Sequence, residues 1–87
     1  MIRRLVLDVL KPIEPSSIDL AKKLGEIKGI DAVYVKVREV DRKVETVILT
    51  IEGEWLDFEK INHALEKYGA VVHSIDGVTA GNRLMGR

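Results

Sequence analysis

Apolar and polar residues alternate at four places along this chain, and at two others apolar residues recur every third or fourth position. In IRRLVLDVLKP (residues 2–12), Leu5, Leu7 and Val9 alternate with Arg4, Val6 and Asp8, which is the period of a half-buried strand. The stretch KPIEPSS ends that strand with two prolines. Ser16 followed by Asp19 three residues on resembles a capping box. Ile18, Ala21, Leu24 and Ile27 then recur at helical spacing, with Leu20 widening the stripe and Gly29 placed to end the helix.

Val33, Val35 and Val37 alternate with Tyr34, Lys36 and Arg38 in a second strand. A third follows the short polar link Asp41–Lys43, with Val47, Leu49 and Ile51 alternating with Thr46, Ile48, Thr50 and Glu52. Two alternating runs across three polar residues predict a β-hairpin. EWLDFEKINHALEKYG predicts a second helix, with Asp57 as N-cap and Leu56 and Ile61 as a hydrophobic staple. Its apolar stripe is Phe58, Ile61, Leu65 and Tyr68, and Gly69 ends it. AVVHSID predicts a fourth strand, with Val71 and Ile75 toward the core and His73 inward near a sheet edge. Residues 78–87 lack periodicity and are expected to form a tail, or an extension that orders against a partner.

The order β-α-β-β-α-β predicts an α+β domain of the ferredoxin-like split βαβ type. Its four-stranded antiparallel sheet has the order 4-1-3-2, with both helices on one face, and residues 1–87 form one domain. The expected core of the first three strands is Leu5, Leu7, Val9, Val33, Val35, Val37, Val47, Leu49 and Ile51. The opposite face is open. It carries Arg4, Val6 and Asp8, then Tyr34, Lys36 and Arg38, then Thr46, Ile48, Thr50 and Glu52, with Ser74 and Asp76 from the last strand.

Composition narrows the function classes. Eighty-seven residues bury roughly 60–65% of the surface of the unfolded chain, a thin margin that oligomerisation often supplements. Lys plus Arg and Asp plus Glu number 14 each, so the basic excess of a nucleic-acid binder is missing. The chain has no cysteine, which excludes disulfides, thiolate metal sites and Cys nucleophiles and fits a cytoplasmic protein. Arg3, Arg4 and Asp8 interrupt the first apolar stretch, so no signal peptide is expected, and no apolar run is long enough to span a membrane.

The open face excludes more. An RNA-reading sheet needs stacking aromatics on its central strands, and none stands at those positions. An anion-cradling loop after the first strand needs N–H donors that the prolines of KPIEPSS lack. His63 reads as a solvated helix residue, and Ser16 and Ser17 as capping residues. No nucleophile–base pair can be named, so no catalytic residue is assigned and a non-enzymatic protein is expected.

Asp8 is the position that asks for chemistry, because Asp is depleted from strands. With the first and third strands read as parallel neighbours, Asp8 and Glu52 fall side by side near their C-terminal ends. Two adjacent carboxylates need a positive neighbour: Lys11, Lys36, an Arg of another subunit, or a divalent cation. All-oxygen ligands suit Ca²⁺ or Mg²⁺. Asp76, on the antiparallel fourth strand, is expected near Arg4. Val6, Tyr34 and Ile48 place an apolar strip on the same face, and such a strip rimmed by charge suggests an interface. The expected partner is therefore the chain itself, as a homo-oligomer. The alternative is a regulatory domain that binds a small metabolite between subunits.

IRRLVLDVLKP, EPS, TIEG and VHSIDGVTAG, in this order and spacing, resemble a family of small archaeal proteins, domain-of-unknown-function family two-eleven. The resemblance covers essentially the whole chain. It implies the ferredoxin-like fold and ring-like homo-oligomers, and supplies no catalytic residues. Gly77 stands where that family commonly has an acidic residue; if that position helps hold a ligand or cation, the resemblance implies weaker binding here.

Overall fold

In the computed structural model, which describes residues 1–86, the strand β1 (Ile2–Pro12) runs through the middle of the sheet. It leads to α1 (Ser17–Gly25), the hairpin of β2 (Ala32–Val40) and β3 (Val44–Leu56), then α2 (Phe58–Lys67) and β4 (Val71–Ala80). The sheet order is β2-β3-β1-β4, the predicted order read from the other edge, and every neighbouring pair is antiparallel. This α+β arrangement is consistent with a ferredoxin-like fold.

Local chemistry explains where the helices start. Ser16 accepts the Asp19 amide at 3.1 Å through its hydroxyl, capping α1. Asp57 accepts the Glu59 and Lys60 amides on Oδ1, capping α2. Leu56 and Ile61 on either side of that cap are both buried, as a hydrophobic staple requires. Gly69 follows α2 at φ +76°, a backbone region that side chains disfavour. α1 ends earlier than its apolar spacing implies, at Gly25; Ile18 lies exposed, and Leu20 and Leu24 carry its buried stripe. Glu54–Leu56, which precede the Asp57 cap, extend β3.

Leu5, Leu7, Val9, Val47, Leu49 and Ile51 form one core cluster with Leu20, Leu24, Ile61 and Leu65 from the helices. Fully burying each such aliphatic side chain contributes about 1.5–3 kcal/mol. Val33 and Val35 border the cluster, whereas Val37, expected inside, is exposed on the edge strand. Lys11 also faces the helix side and is only 1% exposed. Its Nζ donates to Pro12 O at 2.7 Å and to Ile13 O at 3.3 Å, and pairs with the carboxylate of Glu45 directly across the strands. Lys11 is therefore no neighbour for Asp8 on the open face.

Close packing joins the turn after α1 to β3. The Asp31 amide donates to Glu52 O at 2.8 Å. A Cβ on Gly53 would lie 2.0 Å from Gly29 O, so only glycine fits there.

Five irregularities break the regular ladders. Arg38 is the extra residue of β2, His73 and Asp76 are extra residues of β4, Arg3 is extra in β1 against β4, and in the β1–β3 ladder Arg3 alone faces Gly53, Glu54 and Trp55 of β3. Each added residue shifts the alternation of side chains by one. This corrects the reading of β4. Val72 packs against the core, whereas Val71 lies opposite Leu10 and is exposed; Ile75 lies opposite Leu7 on the helix side, as expected, but is exposed at the sheet edge, and His73 is exposed rather than inward. β4 runs on to Ala80, so residues 78–80, expected in the tail, are strand; residues 81–86 follow it outside the strand, and residue 87 lies outside the described residues.

Candidate functional site

The antiparallel pairing of β1 and β3 separates the two carboxylates that the sequence reading placed together. A right-handed β-α-β unit makes β1 and β2 run the same way, and the β2–β3 hairpin then reverses β3. Glu52 consequently lies opposite Arg4, while Asp8 lies between Ile48 and Ser74. Four residues along β1 separate the two acids by about 13 Å. Arg4 Nε donates to Glu52 Oε2 at 2.9 Å, so the positive neighbour of Glu52 is a side chain of this chain. Asp76, expected near Arg4, instead accepts the Ser74 hydroxyl at 2.6 Å on Oδ1. Among the described residues, no group of three or more His, Cys, Asp or Glu is arranged to hold a metal ion.

The open face divides into three zones along β1. At one end lie Arg4, Glu52 and the final segment, because Arg4 Nη1 donates to Met85 O at 3.1 Å and Arg3 Nη1 to Asn82 O at 2.8 Å. The expected interface residues lie in the middle. Tyr34 and Val6 both oppose Thr50 from either side, and Ile48 lies in the next row between Lys36 and Asp8. Val6 and Ile48 are half-buried and Tyr34 is exposed. Lys36, a candidate neighbour for Asp8, stands two strands away, about 9–10 Å between backbones.

At the far end is a hollow of about 280 Å³ lined by Asp8, Leu10, Arg38, Glu39, Thr46 and His73. All four strands contribute. Leu10 and Thr46 oppose each other, and Thr46 opposes Glu39, making one row. Asp8 stands in the adjacent row, and the bulge residues Arg38 and His73 enter from the two edge strands. Bulges commonly re-aim side chains beside functional sites. Among the described residues no cationic side chain lies within 4 Å of a carboxylate in this hollow. The group consists of two acids, one guanidinium and one imidazole, half-buried or exposed and unpaired with one another.

The sequence reading put Arg38 and Thr46 on the open face without singling them out. The signal for Arg38 was present in VKVREV, where two charged residues in succession break the alternation. A wider depression of about 510 Å³ runs beside α2, lined by Ile27, Asp57, Glu59, Lys60, His63 and Ala64 among others. Its side chains are those of a solvated helix flank. His63, as expected, is exposed, with Nδ1 3.9 Å from Glu66. Among the described residues no helix is long and apolar enough to cross a membrane.

The family model DUF211, described as "Uncharacterized ArCR", matches residues 3–87 of this chain. The chain is also 48% identical, over 84 residues, to "Uncharacterized protein MJ0319" of Methanocaldococcus jannaschii; the match covers 97% of this chain and 87% of that protein.

Proposed function

The chain belongs to the archaeal DUF211 family, and from that premise we propose that it acts as a non-enzymatic, self-associating protein whose copies join along the sheet edges. One observation carries this reading. β4 is an edge strand, and Val71, Ile75 and Val78 on it are 60%, 49% and 56% exposed. An edge with free backbone groups and apolar side chains is a template for another strand. The second edge, β2, carries the exposed Tyr34, Val37 and Val40. Joining β4 of one copy to β2 of the next is a head-to-tail contact, which closes into a ring when the rotation per subunit allows. The core of an 87-residue chain also gains from covering such surface.

Light scattering and native mass spectrometry at micromolar concentration test this. A defined species of several subunits is the expected result, and a monomer throughout overturns it. A second reading, binding of a small metabolite, is favoured by the hollow around Asp8. It does not require self-association, since one chain supplies the whole lining.

A further inference from the structure

Two bulges on opposite edges of the sheet deliver Arg38 and His73 to one hollow, where Asp8 and Glu39 also lie unpaired. We propose that this hollow binds a small zwitterion of the α-amino-acid class, its carboxylate on Arg38 and its ammonium on Asp8. The inference rests on the metabolite-binding reading and adds the ligand class.

The charge pattern selects that class. An inorganic anion drawn to Arg38 would also meet Asp8 and Glu39. A metal cation drawn to Asp8 would meet Arg38, and no three-ligand arrangement supports it among the described residues. A molecule that carries both charges a few bonds apart satisfies both ends. Arg38 on β2 and Asp8 on β1 are two strand spacings apart, about 9–10 Å between backbones, which their side chains shorten to the span of a small molecule. A planar guanidinium pairs with a carboxylate through two parallel hydrogen bonds. Leu10, partly exposed between the charged groups, offers apolar contact for a side chain, and Thr46 opposite it offers a hydroxyl. The volume of about 280 Å³ is at the small end of ligand pockets, which suits a molecule of this size.

A regular strand would not build this site. Without its extra residue β2 would place one charged side chain on this face at this level, and β4 would keep strict alternation past Ser74.

A thermal-shift series with the twenty common amino acids, checked by calorimetry, tests the proposal. The controls are N-acetyl and methyl-ester derivatives, which keep one charge each, together with inorganic phosphate, a short dicarboxylate and a short diamine. At ten times its dissociation constant, a ligand of the native state should raise the melting temperature by about 6–11 °C. The expected result is that at least one free amino acid does so and its two derivatives do not. Asp8→Asn and Arg38→Gln should each abolish the shift while melting close to wild type. If phosphate, the dicarboxylate or the diamine shifts the wild type and no amino acid does, the ligand class is wrong although the hollow binds. If nothing shifts it, the metabolite-binding reading falls as well.

Discussion

Arg4 and Glu52 face each other across β1 and β3, with Arg4 Nε 2.9 Å from Glu52 Oε2. The same guanidinium holds the final segment through Met85 O. Arg4→Met should release that segment. Trypsin cleavage after Arg83, followed by mass spectrometry, should accelerate several-fold while the melting temperature of the sheet changes little. Unchanged cleavage would show that Arg4 does not hold the segment.

The buried Lys11–Glu45 pair makes a different prediction. Removing one partner of a buried pair leaves a charge without compensation, at a typical cost of about 3–5 kcal/mol. Glu45→Ala should fall toward the lower end of that range, because Pro12 O and Ile13 O still accept from Lys11. Urea denaturation measures the loss. The double variant Lys11→Met, Glu45→Leu should recover most of it, since well-packed apolar side chains often replace such a pair without penalty.

Gly53 is expected to tolerate nothing larger. In Gly53→Ala the new methyl group would meet Gly29 O at 2.0 Å, a backbone atom that cannot swing aside. A loss of about 1–3 kcal/mol or more follows from such overpacking. Gly25→Ala, where nothing lies within 4 Å, is the control. Equal melting temperatures for the two variants would contradict the close contact.

For self-association, Ile75→Lys and Val78→Lys should each reduce the assembly to smaller species in light scattering, because they place charge on the bare edge. Ile18→Lys, on an exposed helix position away from both edges, should leave it intact. The opposite pattern would move the interface to the helix layer.

Most of the fold could be read from the chain because its signals were local. The alternation in β1 and β3, the caps at Ser16 and Asp57 and the hairpin at Asp41–Lys43 each depend on residues a few positions apart, and each is found in place. The candidate site was less legible. The β-α-β unit and the hairpin, both predicted, already set β3 antiparallel to β1, and the parallel reading that puts Glu52 beside Asp8 conflicts with them. The faces of Val71, His73 and Arg38 depend on bulges, and a single extra residue inverts everything after it until another restores the phase. Asp8 was correctly marked as the unusual strand residue, but with the wrong companion. Its neighbours in the hollow come from the bulged edge strands.

The bulge at Arg38 also bears on how the chain can change in length. Losing one residue from a strand ordinarily turns its remaining side chains over. Loss of Arg38 would not, because Val37 and Glu39 already pair with the consecutive residues Val47 and Thr46. A one-codon deletion there would leave an unbroken ladder and remove the guanidinium. The scaffold and the charge it displays are thus separable by the smallest in-frame mutation, so a lineage can acquire or discard Arg38 without rebuilding the sheet beneath it.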